Sequence, residues 1–446
     1  MSISAGAFKF WTGQHSPLTS VFLSLLLLIL SGCGFNKSGL VDPRLLEPTG
    51  WKSNQHLLQK SSFEDYRLAV QKVVSTARVP FNPDNASAEI NLASPAEFQP
   101  SAECVRIRGI AVLVHGLSDS AFSMRDLGQT LAANCYIART ALLPGHGTKP
   151  GDLLNTGIED WKQTVQYLIA QASREHSNVI TIGFSLGALL TMSEAIKPET
   201  PVDVAITISP AFYLTTSPYA EMSRWLQYIK RWLDTEKPDD TYRYEAMPTR
   251  AVAATVAAKS RFHELLKLSG SVAKPWLVIQ SADDLVIETS KNQRLFIDNA
   301  THTASRLITF RSDLDPQQRT GQHDQPKATH KTDNKLIELD SWSDKHKING
   351  LTHVAIHQSP ANSHYGVGGD YRNCGIGGPR PRAAVRKCQQ ADSVWSGPWD
   401  GKAPDDGPYG LSSFNPYYDK MVEHILEFLD ESLPDVQGTI VASNKN

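Results

Sequence analysis

The chain has 446 residues, 41% of them hydrophobic and 20% charged, which is enough for a sizeable core in one large domain or two. Its formal net charge of −2 leaves no basic excess, and no basic stripe interleaved with aromatics is present, which argues against a nucleic-acid partner. No Walker-type or dinucleotide glycine loop occurs either.

Residues 1–33 read as a processing signal rather than part of the fold. A weakly basic stretch containing Lys9 precedes a short apolar run over residues 21–30, about half of what a membrane-spanning helix needs. The run ends in Leu30-Ser31-Gly32-Cys33. This ending resembles the lipobox of bacterial lipoproteins, which implies that Cys33 becomes the lipid-bearing first residue of the mature chain. The resemblance places the protein on a membrane through that anchor, in the bacterial cell envelope, and Gly34 favours the outer membrane facing the periplasm. In such an oxidising compartment the remaining four cysteines are expected to pair. Cys104 precedes one predicted strand and Cys135 the next, while Cys374 and Cys388 bracket a Gly/Pro/Arg-rich loop. The expected bridges are therefore Cys104–Cys135 and Cys374–Cys388.

Residues 34–102 form a tether and an N-terminal helix. The tether is polar and broken by Pro43 and Pro48. Ser61-x-x-Glu64 offers a capping box, after which Tyr66, Ala69, Val70, Val73, Val74 and Ala77 recur at helical spacing until Pro80. Residues 80–102 show no period and carry several prolines, and read as a loop.

From about residue 103 to 432 strands and helices alternate, which predicts an α/β fold with a mostly parallel central sheet and helices on both faces. Predicted strands cover residues 110–114, 136–141, 178–184, 202–208 and 276–280, with helices over 124–133 and 160–175. Residues 213–271 exceed what a simple crossover needs and include Trp225, Tyr228, Trp232, Tyr242 and Tyr244, so an inserted helical cap is expected there. Residues 306–310 and 336–339 compete for the last strand position, and the polar insertion at about 311–335 is too hydrophilic to bury. Asn415 and Pro416 read as the start of a final helix whose packing face is Met421, Val422, Ile425, Leu426 and Leu429. Residues 433–446 read as a disordered tail.

The chemistry concentrates at Gly183-Phe184-Ser185-Leu186-Gly187, a Gly-x-Ser-x-Gly run between a buried strand and a helix. Such a turn is sharp, which calls for near-absent side chains two residues either side of the serine. Ser185 would stand exposed as a nucleophile, and the Leu186 amide, opening the helix, has no intrahelical partner and could face an oxyanion. A serine needs a base, and the base a carboxylate. Asp284, beyond the strand at 276–280, is the favoured acid, and Asp283 is the other candidate. The histidines His302, His323, His330, His346, His353, His357 and His364 follow it. His353 is favoured because Gly350-Leu351-Thr352-His353 returns from the polar excursion to apolar residues, and His357 and His364 remain open. His353-x-x-x-His357 has zinc-pair spacing without an obvious third ligand, so no metal is expected. Val114-His115-Gly116-Leu117 follows a strand as a second oxyanion element does, with the Leu117 amide as donor.

Residues 103–310 resemble the carboxylesterase and monoacylglycerol-lipase branch of the α/β-hydrolases, whose domain is also labelled serine aminopeptidase-like. The resemblance rests on the 114–120 and 183–187 motifs, Met124-Arg125-Asp126-Leu127, Leu142-Leu143-Pro144-Gly145-His146-Gly147-Thr148, Asp160-Trp161 and the Asp284 loop. It implies a cofactor-independent serine hydrolase acting on a small-molecule carboxylic ester, an acylglycerol or a similar lipid or aryl ester, through a Ser-His-Asp triad. A peptidase or amidase of the same branch, or a non-catalytic envelope binding module on a hydrolase scaffold, are the alternatives.

Overall fold

The computed structural model describes residues 41–51, 62–215, 217–314, 331–333, 335–375, 382–398 and 408–433. The lipobox with Cys33, most of the polar insertion and nearly all of the 433–446 tail lie outside them. Among the described residues, no helix is long and apolar enough to cross a membrane.

Fifteen strands are described: β1 (Glu97–Phe98), β2 (Gly109–Val114), β3 (Tyr136–Thr140), β4 (Val179–Phe184), β5 (Val204–Ile208), β6 (Trp232–Asp234), β7 (Met247–Pro248), β8 (Trp276–Ser281), β9 (Arg306–Arg311), β10 (Lys331–Asp333), β11 (Leu336–Asp340), β12 (Trp342–Ser343), β13 (Ile348–Asn349), β14 (Trp395–Ser396) and β15 (Tyr409–Gly410). Nine of them form one sheet in the order β1-β3-β2-β4-β5-β8-β9-β11-β10. Its interior pairs are parallel, and only the outermost pairs, β1 with β3 and β10 with β11, are antiparallel. The competition between residues 306–310 and 336–339 resolves into neighbours: β9 and β11 lie side by side in parallel register.

Both faces of the sheet are covered, which is why the central strands read as continuous apolar runs. Ile110, Val112 and Val114 of β2 face one core with the helices α1 (Phe63–Ala77), α4 (Ile158–Glu175) and α5 (Leu186–Ala195). Ala111 and Leu113 face the other, against α3 (Arg125–Ala133) and the final helix α10 (Tyr418–Ser432). Each such buried Ile, Val or Leu side chain contributes about 1.5–3 kcal/mol. Both expected bridges, Cys104–Cys135 and Cys374–Cys388, are formed.

Three details differ from the sequence reading. The first helix is capped one residue later than expected: the Asp65 amide donates to Ser62 Oγ at 3.1 Å. The supposed loop at 80–102 holds a short helix, α2 (Ala86–Ala93), fixed by buried Glu89, which accepts the Phe81 and Asn82 amides and pairs with Arg78. Its short periodicity is hidden by the flanking prolines. Third, the stretch expected as a cap divides in two. Helix α6 (Ser217–Leu226) and the β6–β7 ribbon are peripheral and leave Met222, Trp225, Tyr228 and Ile229 exposed. Helix α7 (Thr249–Ser269) instead buries Ala251, Ala254, Ala258, Phe262 and Leu266 in the main core. Helix α8 (Thr289–Asn299) follows β8, and α9 (Arg382–Gln390) carries Cys388. Strands β12 to β15 make a small second sheet that the sequence reading did not foresee, because two-residue strands leave no period.

Candidate active site

The β4–α5 junction makes the turn that Gly-x-Ser-x-Gly requires. Ser185 has φ 53° and ψ −111°, a region that non-glycine residues occupy only under strain imposed by their surroundings. Gly187 tolerates no side chain: a Cβ there would strike the Val114 carbonyl at the end of β2. The turn is tied to the neighbouring strand by the Ser185 amide, which donates to the Ile208 carbonyl at 3.0 Å.

The favoured acid and base both reach this serine. Asp284, in the turn after β8, uses Oδ1 to accept the Val286 amide at 2.8 Å and the Ile287 amide at 3.2 Å. Its Oδ2 accepts from His353 Nδ1 at 2.7 Å, and His353 Nε2 lies 2.9 Å from Ser185 Oγ. A carboxylate can only accept, so the imidazole proton sits on Nδ1 and Nε2 is free to accept the serine hydroxyl proton. Asp284 and His353 are buried, whereas Ser185 is half-buried.

The other candidates lie elsewhere. Asp283 accepts Ser312 Oγ at 2.7 Å and Ser341 Oγ at 3.2 Å, and burial raises its carboxyl above the ordinary range. His357 packs 4.1 Å from the Phe184 ring with Nε2 beside the Gln358 amide, and burial holds it well below the usual imidazole range. His364 sits between Asp370 and Asp240. Among the described residues, no group of three or more His, Cys, Asp or Glu side chains is arranged around a metal position.

The two expected oxyanion donors belong to different elements. Leu186 is the first residue of α5, where backbone amides precede the intrahelical ladder. Leu117 stands before a left-handed Ser118, φ 61°, in the turn after β2. That turn is braced by His115, whose Nδ1 donates to the Gly116 carbonyl at 2.8 Å while Nε2 accepts the Leu143 amide at 3.1 Å. Burial lowers His115 to about 4, so the ring stays neutral and keeps one donor and one acceptor.

A buried polar cluster links the peripheral segment to this turn; the sequence reading had named its His364 only as an alternative base and its Tyr244 only as part of the expected cap. The Tyr244 amide donates to the Ser118 carbonyl at 2.8 Å. Arg243 Nε reaches Asp240 Oδ2 and the Tyr365 hydroxyl, each at 3.1 Å, and His364 Nε2 lies 3.1 Å from Asp240 Oδ1. An acid and a base three residues apart in a polar stretch give no signal that they will be buried. Beside this cluster, burial and then the Asp239 carboxylate push Glu245 up to about 9. A carboxyl raised above its unfolded value adds stability that is complete below the unfolded pKa and lost as pH rises through about 9. Thermal unfolding should therefore show wild type losing stability between pH 7 and 10 by more than Glu245→Gln does; parallel losses would count against a raised Glu245 carboxyl.

Residues 105–312 match the family described as serine aminopeptidase, S33. A thermostable monoacylglycerol lipase of Bacillus sp. (strain H-257) is 27% identical over 209 residues, 45% of this chain and 80% of that protein. A carboxylesterase of Bacillus subtilis (strain 168) is 31% identical over 85 residues, 18% of this chain and 33% of that protein. Among solved structures, the monoacylglycerol lipase of Paleococcus ferrophilus aligns with TM-score 0.41 and 18% identity, over 49% of this chain and 88% of that one. The family match ends at Ser312, short of His353 and of the small second sheet. The chain is a serine hydrolase whose residues 105–312 are similar to the serine aminopeptidase, S33, family and to a monoacylglycerol lipase.

Proposed function

We propose that the protein hydrolyses acylglycerols or similar lipid or aryl esters with Ser185 as nucleophile, His353 as base and Asp284 as the acid that orients it. The observation that carries this reading is the unbroken chain Ser185 Oγ, His353 Nε2, His353 Nδ1, Asp284 Oδ2, with links of 2.9 and 2.7 Å. Ser185 Oγ gives its proton to His353 Nε2 as it bonds to the ester carbon, and the carbonyl oxygen becomes an oxyanion facing the Leu117 and Leu186 amides. The leaving alcohol takes the proton from Nε2, which leaves the acyl-enzyme. A water then gives a proton to His353 and attacks the acyl carbon, and collapse returns the proton to Ser185. Asp284 holds the imidazole in place and stabilises the transient imidazolium.

An ester preference is supported by the name of the 27% identical relative, a monoacylglycerol lipase. Trp225 and Tyr228, in the segment expected as a cap, are exposed apolar side chains of the kind that meet apolar substrates. The family description, serine aminopeptidase, favours a second reading as a peptidase or amidase. Matched substrates with one acyl group, a monoacylglycerol, an aryl ester and the corresponding amide, separate the two by product analysis. Ester turnover at least about a hundredfold above amide turnover is expected; the reverse order, or a folded wild type that a fluorophosphonate probe does not label, sinks the proposal. The Leu30-Ser31-Gly32-Cys33 motif supports a lipid anchor at Cys33 in a bacterial envelope, a proposal that mass measurement of the mature N-terminus tests.

A further inference from the structure

His353 does not stand on a regular element. It follows β13 through Gly350, Leu351 and Thr352, and continues into tight turns in which the Ala355 amide donates to the Thr352 carbonyl and the Gln358 amide to the Ala355 carbonyl, each at 3.1 Å. A loop of turns has no ladder of its own to fix its position. The fixing comes instead from a segment about sixty residues further along the chain. The Thr352 amide donates to Ser412 Oγ at 2.8 Å, and Thr352 Oγ1 donates to the Ser412 carbonyl at 2.7 Å. On the far side of His353, Asn415 Nδ2 donates to the Ile356 carbonyl at 3.0 Å and the Asn415 amide to the Gln358 carbonyl at 2.9 Å. Ser412 and Asn415 are both fully buried.

We propose that Ser412 and Asn415 are positioning residues that clamp the backbone on either side of His353. This rests on His353 being the base. The clamp is itself held by the part of the chain beyond the family match. Ser412 follows β15, the Leu411 amide donates to the Asn373 carbonyl at 2.7 Å, and Asn373 adjoins the Cys374–Cys388 bridge. The small second sheet thus supports the base from two sides, since β13 delivers the histidine loop and β15, two strands away, delivers the residues that hold it. The demand is geometric, because Nε2 must stay within hydrogen-bond reach of Ser185 while Nδ1 keeps Asp284, and a shift of about 1 Å at a reacting group can cost up to about a hundredfold in rate.

Ser412→Ala removes the acceptor for the Thr352 amide, and Thr352→Val removes the hydroxyl donor at nearly constant shape, while Thr352→Ser keeps it. Steady-state kinetics on an aryl ester should show kcat falling about tenfold or more in Ser412→Ala and Thr352→Val, with KM within about twofold of wild type. Fluorophosphonate labelling should slow in the same proportion, and Thr352→Ser should keep wild-type kcat. If Ser412→Ala does not fold, the two Thr352 variants decide the matter. Labelled wild type with kcat unchanged in both variants, or a loss confined to KM or to melting temperature, overturns the clamp alone. An unlabelled wild type overturns the triad and the clamp with it.

Discussion

Alanine at Ser185 or at His353 is expected to lower kcat for ester hydrolysis by about 10⁶-fold, and the double variant to lose no more than either single one. The reason is the shared proton path. With Ser185 Oγ 2.9 Å from His353 Nε2, the hydroxyl is a nucleophile only while the imidazole can take its proton, so removing either partner removes the same step. On the proposed mechanism, what survives is substrate binding and polarisation of the carbonyl by the Leu117 and Leu186 amides. The comparison that gives the measurement its force is His357→Gln. His357 is close in space, 4.1 Å from the Phe184 ring, and is only four residues from His353, but its Nε2 faces Gln358 and burial keeps it neutral. Its loss should change kcat by less than about tenfold. Equal losses at His353 and His357 in stopped-flow or steady-state assays would mean that the base has been misassigned.

How far the sequence carries depends on the range of each interaction. The elbow, the strand before it and the helix after it are local, so Gly183, Ser185 and Gly187 could be read together from five consecutive residues. A strand end followed by a turn narrowed the acid to Asp283 or Asp284, and the family resemblance favoured Asp284. His353 was harder: eight histidines follow Asp284, seven of them ahead of the final helix, and only the return of apolar residues around Leu351 and Val354 marked its loop as coming back to the core. The clamp was not legible at all. Ser412 and Asn415 act on residues 352–358 through hydrogen bonds that span about sixty positions, and neither residue type stands out in a polar loop. Asn415 did attract attention as the start of the final helix, and its Oδ1 does accept the Tyr417 amide at 2.9 Å, but the same side chain's Nδ2 holds the histidine loop. The cap expectation was too broad because the alanine-rich segment 249–269 is as compatible with a core helix as with a peripheral one, and only packing against α5 separates them.

Asp284→Asn should cost about 10⁴-fold in kcat at neutral pH with little change in melting temperature. Two backbone donors decide which way the new amide turns. The Val286 and Ile287 amides both point at Oδ1, so the asparagine oxygen must stay there and its NH₂ must face His353 Nδ1. An NH₂ can only donate, which forces the imidazole proton onto Nε2, the atom 2.9 Å from Ser185 Oγ. The ring then offers the serine a proton instead of accepting one, and the nucleophile is silenced although every heavy atom can stay in place. Asp283→Asn makes the opposite case. That carboxyl accepts one hydroxyl at each oxygen, Ser312 Oγ at Oδ1 and Ser341 Oγ at Oδ2, so an asparagine oxygen keeps one of them while its NH₂ faces the other and costs part of the local network. Its kcat should remain within about tenfold of wild type and its melting temperature should fall instead. A kcat loss at Asp283→Asn matching that at Asp284→Asn, with the protein still folded, would move the acid one residue back along the turn.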